Sequence, residues 1–461
     1  MENKIIAIIM AAGDGTRMNS SLPKVMHKIC GYPIIEYVVS SATGVSNCEP
    51  VVILGNGAEE VEEYLGPDMK YAYQHERLGT GHAVMMAKNY LENRTGYALV
   101  LAGDIPLIKS ETLQGLVDYC QKGDYDAVAL SAIFENADGY GRIVRNTSGD
   151  FERIVEHRDA TDEERLIKEI NASIYCFSIP SLLKGLSKLD NNNAQGEYYL
   201  TDVLGILKRQ KKRIGVYSLY DSSQIMGINT RVQLAQVQKI MNRRINHGHL
   251  ENGVTIIDPD NTYIGPYVKI ERDVVIYPGN VLEGRTSIGE GSILYPNSRI
   301  LDSNIGAKTQ IQNSVILESQ IGDQTTVGPF AYIRPGSVIG NKVRIGDFVE
   351  VKNAQIGEGS KVSHLTYVGD GEVGKNVNIG CGVVFVNYDG KKKHRTIVED
   401  NAFIGCNTNL ISPVTIKSNS YIAAGSTITD DVPNNALGIA RARQINKENW
   451  VKKHEKEMEE N

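Results

Sequence analysis

Residues 321–351 read IGDQTTVGPFAYIRPGSVIGNKVRIGDFVEV, with an aliphatic side chain at every sixth position from Ile321 to Val351. The same step recurs from Ile264 to Ile300 and from Val398 to Ile428. Neither the ~3.6-residue period of a helix nor the plain alternation of a half-buried strand gives this spacing. A step of six is typical of a hexapeptide β-helix, in which short strands wind around a prism and each repeat turns one branched side chain inward.

The repeats predict a parallel β-helix over residues 253–437, which corresponds to about ten coils stacked roughly 4.8 Å apart. The step shortens to five residues from Ile300 to Ile305, from Val351 to Ile356 and from Val368 to Val373. A longer interruption, residues 387–396, is expected to loop out of the prism. Residues 438–461 are rich in Lys and Glu near their end and are expected to form an exposed tail.

The first half of the chain has a different organisation. Residues 1–229 alternate apolar, strand-like runs such as Lys4–Met10 with helical segments. This alternation predicts an α/β doubly wound domain, with a mostly parallel sheet that helices cover on both faces. Residues 230–252 place apolar side chains at helical spacing and are expected to form one linker helix, capped by Asn229 or Thr230.

Composition narrows the class of protein. The 461 residues carry 49 Lys and Arg against 55 Asp and Glu, and no long basic block precedes the tail, so nucleic acid is not an expected partner. No apolar run approaches the ~20 residues that a membrane span needs, and no leader segment is evident. Six cysteines lie scattered without metal-ligand spacing. We expect a soluble cytoplasmic protein with reduced thiols and no membrane partner.

A small-residue loop follows the first strand. Residues 11–18 read AAGDGTRM, and Lys24 comes shortly afterwards. Small residues let backbone N–H groups approach a phosphate, while Arg17 and Lys24 add positive charge. The loop lacks the Gly-Lys-Ser/Thr of a Walker loop and the third glycine of the dinucleotide fingerprint. Its glycines alone would fit any doubly wound fold, so the interpretation depends on the whole string.

That string resembles the signature of the sugar-nucleotide pyrophosphorylase family. Three further segments match in order, which are Gln74 with Leu78–Ala83, Ala102–Asp104 and Tyr140–Arg142. The resemblance implies nucleotidyl transfer to a sugar 1-phosphate, with Arg17 and Lys24 acting in catalysis. It assigns the nucleotide and sugar contacts to Ala11, Ala12, Gly13, Lys24, Gln74, Gly79, Thr80, Gly141, Glu156, Asn171 and Asn229.

A magnesium site is expected at the end of the strand that precedes Asp104. Mg²⁺ binds one or two protein oxygens and leaves its other positions to phosphates and water. Asp104 is the best first ligand, and Asn229 resembles the second ligand of the family. Two alternatives remain open, because an isolated Gly-Asp is typical of a turn or a helix cap, and Asn229 fits a helix cap almost as well.

The repeats carry a second polar cluster, which comprises Arg334, Lys352, His364, Tyr367, Asn378 and the segment Asn387–Gly390. This cluster resembles the left-handed β-helix acyltransferases, which often bind acyl-CoA between neighbouring subunits of a trimer. Over essentially its full length the chain resembles one bacterial family of bifunctional enzymes. That family combines N-acetylglucosamine-1-phosphate uridylyltransferase with glucosamine-1-phosphate acetyltransferase activity.

The chemistry of acetyl transfer fits these residue types. An amine attacks a thioester only when it is neutral, so His364 is a candidate base. Arg334 and Lys352 provide positive charge for a sugar phosphate. The resemblance implies that Tyr367 and Asn378 orient the sugar and the base. It assigns acetyl-CoA contacts to Cys381, Asn387, Tyr388, Cys406, Ala424 and Arg441, although relatives commonly have alanine in place of Cys381 and serine in place of Cys406.

The expected function is therefore synthesis of UDP-N-acetylglucosamine in two steps by a homotrimer with inter-subunit acetyltransferase sites. Acetyl-CoA and glucosamine 1-phosphate would react in the β-helix, and the product would react with UTP in the first domain. Two alternatives remain. The first domain could serve another sugar or base, or the β-helix could serve only for oligomerisation or regulation. A lone histidine on a β-helix is usually a hydrogen-bonded surface residue, so the cluster around His364 decides between them.

Overall fold

The computed structural model describes residues 4–193 and 195–459. The chain divides into two compact units, of which the first ends at Met241 and the second begins at Asn242. No helix in the described part of the chain is long and apolar enough to cross a membrane.

The first unit contains strands and helices in alternation. Its strands are β1 (Ile5–Met10), β2 (Lys28–Ile29), β3 (Tyr32–Pro33), β4 (Cys48–Leu54), β5 (Lys70–Tyr73), β6 (Tyr97–Ala102), β7 (Ala127–Ile133), β8 (Arg142–Arg145), β9 (Phe151–Val155), β10 (Glu169–Ser178) and β11 (Ile214–Leu219). Its α-helices are α1 (Ile34–Thr43), α2 (Ala58–Leu65), α3 (Thr80–Met86), α4 (Lys88–Leu91), α5 (Ser110–Lys122), α6 (Asp162–Arg165), α7 (Ile179–Leu186) and α8 (Thr201–Arg209). Short 3₁₀ turns cover Thr16–Met18, Lys24–Met26 and Ser222–Ile225.

The main sheet has the strand order β11-β7-β10-β6-β1-β4-β5, and the hairpin β8–β9 is attached to β10. Strands β6, β1, β4 and β5 run parallel to one another, so their carboxyl ends lie along one edge. Strand β10 is antiparallel to both β6 and β7, which makes the sheet less uniformly parallel than the alternation of strands and helices predicts. Strand β10 and the hairpin enlarge the sheet beside the edge where the parallel strands end.

Both faces of this sheet are covered, as the continuous apolar run of β1 predicts. Ile5, Ala7 and Ile9 pack on one face with a core that includes residues of α1 and α5. Ile6 and Ile8 pack on the other face with residues of α3, α7 and α8. Alternate side chains of one strand therefore belong to two separate cores, and the doubly wound prediction is confirmed.

Helix α9 (Arg231–Glu251) corresponds to the predicted linker helix and spans the boundary between the two units. Thr230 caps it, because the Thr230 Oγ1 accepts a hydrogen bond from the Gln233 amide at 3.2 Å. The Gln233 side chain in turn accepts from the backbone N–H groups of Asn229, at 2.7 Å, and Thr230, at 3.1 Å. This reciprocal capping box leaves the side chain of Asn229 free for other contacts.

The second unit is a prism with three parallel sheets, here called faces A, B and C. Face A contains Thr255–Ile256, Val275–Ile276, Ile293–Leu294, Gln310–Ile311, Thr326–Val327, Arg344–Asp347, Lys361–His364, Asn378–Ile379, Phe403–Ile404, Tyr421–Ile422 and Leu437–Gly438. Face B contains Tyr263–Ile264, Val281–Glu283, Arg299–Leu301, Val315–Leu317, Tyr332–Ile333, Glu350–Lys352, Tyr367–Gly369, Val384–Val386, Asn409–Ile411 and Thr427–Ile428. Face C contains Lys269–Ile270, Ser287–Ile288, Asn304–Ile305, Gln320–Ile321, Val338–Ile339, Gln355–Ile356, Gly371–Val373, Thr396–Val398 and Val414–Ile416.

The six-residue step places one aliphatic side chain of each strand in the centre of the prism. Ile333 and Val351, for example, are fully buried, and together with the other repeat residues they form one continuous core. Ile270, near the first coil, is half-buried against the same core. Buried Ser and Thr side chains bond to the backbone of neighbouring coils, as when the Ser319 amide donates to the Ser303 Oγ at 3.1 Å. The predicted parallel β-helix is confirmed.

Three corners of five-residue steps contain an Asp or Asn with a positive φ of 46° to 48°, and these residues are Asp302, Asn353 and Asp370. Asp and Asn tolerate this left-handed conformation better than most residues. The 387–396 loop lies between face B and face C strands and is held by a bridge between Tyr388 and Lys393. Beyond the prism, α10 (Trp450–Glu459) begins in the tail, where Trp450 is exposed.

Candidate active sites

A cavity of about 410 Å³ lies at the carboxyl ends of β1, β5 and β6 in the first unit. The predicted residues in its lining are Ala11, Ala12, Gly13, Lys24, Gln74, Gly79, Thr80, Asp104 and Asn229. Gly15 makes the turn of the small-residue loop with a φ of +60°, and a Cβ there would lie 2.6 Å from the Lys24 Cβ. The tight loop thus requires glycine at this position, which brings the loop against Lys24.

Three of the predicted polar residues converge on one point of this cavity. The Lys24 Nζ lies 2.5 Å from the Asp104 Oδ2 and 3.3 Å from the Asn229 Oδ1. The Arg17 Nη2 donates to the same Asn229 oxygen at 2.9 Å, which places Arg17 beside the cavity although it does not line it. Two side-chain oxygens are therefore arranged around a positive charge. Lys24 and Asp104 are both largely buried, with side-chain exposures of 14% and 17%, so this attraction is only partly screened by water.

Helix α9 holds the loop that carries Arg17 and Lys24. The Arg231 Nε donates to the Met18 carbonyl at 3.3 Å, and its Nη1 lies 3.2 Å from the His27 Nδ1. An arginine nitrogen only donates, so the His27 Nδ1 must accept, and the proton of the neutral ring is on Nε2. Burial, and secondarily the charge of Arg231, lowers the pKa of His27 and keeps the ring neutral.

The predicted sugar residues Gly141, Glu156 and Asn171 lie close together, but they do not line the cavity themselves. The Asn171 amide donates to the Gly141 carbonyl at 2.9 Å, and the Glu156 Oε1 accepts from the Thr201 hydroxyl at 3.1 Å. Burial, assisted by nearby carboxylates, raises the pKa of Glu156, so this carboxyl retains its proton to a higher pH than usual. The cavity lining at this point comes from their chain neighbours Tyr140, Ala172 and Ser173.

Gln74 is oriented by the segment that follows it. The Gln74 Nε2 donates to the Gly79 carbonyl at 3.0 Å and lies 3.2 Å from the His82 Nδ1. Gly79 has a φ of +105°, and a Cβ there would lie 2.6 Å from the Tyr198 carbonyl oxygen. These contacts fix the Gln74 side chain and the backbone at Gly79 where they line the cavity, beyond the end of β5.

Other cavity residues were missed by the sequence analysis. Arg77 lines the cavity and forms an ion pair with Asp14 of the small-residue loop. Tyr140 lines it too, and burial together with the neighbouring Asp104 raises the pKa of its phenol, although a backbone hydrogen bond from Gly227 opposes this. Tyr140 belongs to a matched segment and was an available signal. Nothing in the sequence placed Arg77 opposite Asp14.

In the second unit, four predicted residues lie along one edge of the prism. Val362, Ile379, Ile404 and Ile422 are successive register partners on face A. His364, Cys381, Cys406 and Ala424 each follow one of these partners by two residues, so they stack on consecutive coils. The Arg441 Nη1 donates to the Ala424 carbonyl at 3.0 Å, which brings a fifth predicted residue to the same edge.

His364 has a carboxylate partner that fixes its tautomer. The His364 Nδ1 lies 2.5 Å from the Asp347 Oδ1, and the two residues are register partners on adjacent coils. An ionised carboxylate only accepts, so Nδ1 carries the proton and the Nε2 lone pair is left available. The hydrogen bond with His364 lowers the pKa of Asp347, which keeps the carboxylate ionised. This pairing is suited to a general base.

The predicted cations lie on the neighbouring face B. Arg334 and Lys352 each follow paired core residues, Ile333 and Val351, and so occupy adjacent coils. The Arg334 Nη1 donates to the Glu350 Oε1 at 2.8 Å, and Glu350 is the register partner of Tyr367. The nearby ammonium of Lys393, in the 387–396 loop, lowers the pKa of Lys352. Two like charges close together form a site that an anion would stabilise.

Asp370, at the corner of one five-residue step, contacts both the corner at Asn353 and the 387–396 loop. Its carboxylate accepts from the Asn353 Nδ2 at 2.7 Å and from the Asn387 Nδ2 at 2.5 Å. Burial alone would raise the pKa of Asp370, but these hydrogen bonds and the charges of Lys352 and Lys393 outweigh burial and lower it. Asn387 is thereby fixed beside Lys352.

Two other predicted residues lie near this region. Asn378 is on face A as the register partner of Lys361. The exposed Tyr388 donates its hydroxyl proton to the Gly390 carbonyl at 2.7 Å.

The carboxylates Asp347, Glu350 and Asp370 were not predicted. Each lies 17 residues before a predicted site residue, since Asp347 precedes His364, Glu350 precedes Tyr367 and Asp370 precedes Asn387 by that number. Seventeen residues are one coil where the step has shortened once. The spacing was therefore a usable signal, which only a coil-by-coil alignment of the repeat would have revealed.

The chain matches known proteins over nearly its whole length. Residues 7–171 match the family model of the MobA-like NTP transferase domain, and residues 318–353 and 395–430 match that of the bacterial transferase hexapeptide (six repeats). The bifunctional protein GlmU of Clostridium acetobutylicum is 55% identical, with 97% of this chain and 98% of the relative covered. The GlmU proteins of Clostridium novyi (55%, covering 97% and 98%) and Acetivibrio thermocellus (55%, covering 97% and 97%) are equally similar. A structure of UDP-glucose pyrophosphorylase with UDP-glucose covers 52% of this chain and 99% of its own at 19% identity and a TM-score of 0.44, a likeness too weak to support a conclusion.

An NTP transferase domain followed by hexapeptide transferase repeats defines a two-domain transferase. The chain belongs to the family of the bifunctional protein GlmU.

Proposed function

We propose that this transferase makes UDP-N-acetylglucosamine through two reactions at two separate sites. In the prism, the amine of glucosamine 1-phosphate takes the acetyl group of acetyl-CoA, which releases CoA. At the first-unit cavity, the phosphate of the resulting N-acetylglucosamine 1-phosphate attacks the α-phosphorus of UTP, which releases pyrophosphate. Family membership supports two activities on one chain, and the side-chain chemistry of the two sites supports these particular reactions.

The pairing of His364 with Asp347 carries the acetyl-transfer half of this proposal. The Nε2 of His364 accepts a proton from the substrate amine while the amine nitrogen attacks the thioester carbon. The C–S bond breaks, and the sulfur leaves as the CoA thiolate, which takes up the proton that His364 received. Asp347 stabilises the protonated ring through Nδ1. Arg334 and Lys352 provide the positive charge for the sugar phosphate. A coil that served only as structure would have no need for these charges on adjacent coils.

The uridylyl-transfer half depends on positioning and charge. Phosphoryl chemistry of this type requires the protein to align the reacting oxygens and to neutralise developing charge. Arg17 and Lys24 are held close to each other because both donate to the Asn229 oxygen. The hydrogen bond from Arg231 to the Met18 carbonyl also holds their loop in place. Gln74 and Gly79 hold the base end of the nucleotide, while Gly141, Glu156 and Asn171 support the sugar end through the cavity wall.

We propose Asp104 and Asn229 as the residues that hold Mg²⁺. Their oxygens already surround the Lys24 ammonium, so they are arranged around a cation, and an acid with an amide oxygen suits Mg²⁺. When bound, the ion neutralises phosphate charge. The described residues contain no group of three His, Cys, Asp or Glu side chains that could hold a metal, which fits an ion held in part by the substrate.

We further propose a cytoplasmic homotrimer with the acetyl-transfer site completed by a neighbouring subunit. Hexapeptide repeats are consistent with oligomerisation, and six free cysteines fit a reducing compartment. The proposed division of labour is residues 1–229 for uridylyl transfer, 230–252 as linker, 253–437 for acetyl transfer and 438–461 as tail. A solution mass three times that of the chain would support the trimer, and a monomer mass would refute it.

Reciprocal variants test the two reactions. His364→Ala should abolish acetyl transfer and leave uridylyl transfer near normal, while Asp104→Ala should do the reverse. His247→Ala on the exposed face of α9 and Asp118→Ala on α5 serve as matched controls. Acetyl transfer that survives His364→Ala would show that His364 is not the base. Equal loss of both activities in one variant would indicate a folding defect instead.

A further inference from the structure

The six cysteines fall into two groups, four in the first unit and two in the prism. Cys120 and Cys176 are buried in the first unit, and burial raises the pKa of the Cys176 thiol. Burial raises the pKa of Cys30 to about 11 and that of Cys48 to about 12. Thiol chemistry depends on an accessible thiolate, so these four residues are poor reaction sites. In the prism, Cys406 is exposed and Cys381 is half-buried.

Cys381 and Cys406 are neighbours in space although 25 residues separate them. Their strands pair in register through Ile379 and Ile404, and each cysteine follows its paired residue by two positions. The pairing continues past them, because the Asn407 amide donates to the Cys381 carbonyl at 2.7 Å. The 387–396 loop accounts for the long sequence separation, and the two thiols lie on adjacent coils at one corner.

The spacing of the coils suits a disulfide. Paired parallel strands lie about 4.8 Å apart, and disulfides join Cα atoms that are about 4.4–6.8 Å apart. Glycines flank the pair on the backbone, as Gly380 and Gly382 beside Cys381 and Gly405 beside Cys406. Glycine backbones adjust more easily than others, so the corner can make the small approach that the shorter Cβ separation of a disulfide needs.

We propose that Cys381 and Cys406 form a modification site, at which a reversible disulfide between adjacent coils stops acetyl transfer while uridylyl transfer continues. The proposal rests on the acetyl-transfer function proposed for the prism. It assigns to this chain a response to oxidation that alanine and serine at these two positions would not permit.

A low-molecular-weight disulfide such as oxidised glutathione is sufficient as oxidant. The thiolate of the exposed Cys406 attacks one sulfur of the oxidant, and one reduced thiol leaves. The Cys381 thiolate then attacks the Cys406 sulfur, the mixed disulfide breaks, and a second reduced thiol leaves. The two cysteine sulfurs lose two electrons in total and the oxidant gains them. The two cysteine protons balance the two released thiols.

The position of the pair explains why acetyl transfer should be affected. Cys381 is one coil from the proposed base His364, and Cys406 is one coil from Ala424, all on the same edge of the prism. Acetyl-CoA must deliver its thioester to the Nε2 side of His364. A disulfide would draw two adjacent corners together where the coenzyme is proposed to lie, and it would remove both thiols from contact with it.

The test treats the full-length protein with oxidised glutathione and then maps its peptides by mass spectrometry. We expect a cross-linked pair of peptides that contain Cys381 and Cys406, lighter by two hydrogen atoms than their sum. Acetyl transfer, followed by release of CoA, should fall in proportion to the cross-linked fraction and return after reduction. Uridylyl transfer in the same sample should remain unchanged.

Two variants and a control complete the test. Cys381→Ala and Cys406→Ser should each prevent the cross-link, and the oxidant should not lower the acetyl transfer of either variant below that variant's own untreated rate. Cys30→Ser should lose the same fraction of its activity as the wild type. Glutathione attached separately to either cysteine, or full acetyl transfer by the cross-linked protein, would overturn the proposal. Absence of acetyl transfer in the untreated, reduced protein would refute the proposed function instead, and the peptide map would still decide whether the disulfide forms.

Discussion

His364 and His27 carry the same ring, and their partners give it opposite properties. The carboxylate of Asp347 accepts from the His364 Nδ1, which leaves a basic nitrogen available. The guanidinium of Arg231 donates to the His27 Nδ1, which leaves a neutral ring with a buried Nε2 for which the described residues provide no hydrogen-bond partner. The residue type alone therefore does not identify a base, and the nearest charged side chain decides its role.

Replacing Asp347 tests this role of the partner. Asp347→Asn keeps the size of the side chain but removes the charge that stabilises the protonated His364 ring. General base catalysis contributes roughly 10²–10⁴-fold, so we expect the kcat of acetyl transfer to fall by a sizeable part of that factor. Asp323→Asn on another coil is the matched control, and an unchanged rate in Asp347→Asn would contradict the pairing.

The candidate residues show what a sequence can and cannot indicate. Lys24, Asp104 and Asn229 were predicted from motifs, and the structure brings them within hydrogen-bonding distance of one another. Whether Asn229 caps a helix could not be decided in advance, because Thr230 beside it is an equally good cap. The structure gives the cap to Thr230. The choice depended on the direction in which one side chain points, which no spacing rule determines.

At the scale of elements, helix α9 holds the small-residue loop in place through polar side chains. Its first turn supplies Arg231, which contacts Met18 and His27, and Gln238 further along accepts from the Cys30 amide at 2.8 Å. The apolar spacing predicted the helix but not this function, because the contacts come from its polar side chains. Strand β10 was similarly beyond prediction, since the direction of a strand depends on long-range pairing.

Protonation of His27 should destabilise the fold of the first unit at acidic pH. The folded state lowers the pKa of His27, so between that lowered pKa and the usual ~6.5 the unfolded chain binds more protons. The free energy of unfolding should therefore fall as the pH falls through this window. Denaturation of His27→Asn, which retains an acceptor for Arg231 but does not titrate, should show a smaller fall than the wild type. Equal slopes in the two proteins would contradict this, and His247→Asn is the exposed control.

The prism tolerates little change at its inward positions. Ile333 is fully buried within the continuous core, so Ile333→Asp would place an unpaired carboxylate there and should lower the free energy of unfolding by several kcal/mol. Gln355→Asp, on the exposed surface of a nearby strand, should change the stability by less than about 0.5 kcal/mol. Thermal unfolding of both variants measures the difference. Similar stability in the two would show that Ile333 is not a core residue.

At the scale of the whole molecule, the regular six-residue repeat and its interruptions have different functions. The six-residue step predicted the prism almost completely, because one buried aliphatic residue per repeat is a local requirement that sequence records directly. The five-residue steps and the 387–396 loop place Asn353, Asp370 and Asn387 in contact beside Lys352. Their side chains meet only after several coils have stacked, so the carboxylates of this site were missed.

We propose that this one chain catalyses two consecutive reactions at two separate sites. The most direct test supplies the purified protein with glucosamine 1-phosphate, acetyl-CoA, UTP and Mg²⁺ and follows the products by mass spectrometry. We expect equal amounts of CoA, pyrophosphate and UDP-N-acetylglucosamine, and no UDP-N-acetylglucosamine when acetyl-CoA is omitted. Formation of a nucleotide sugar without any free CoA would contradict this proposal.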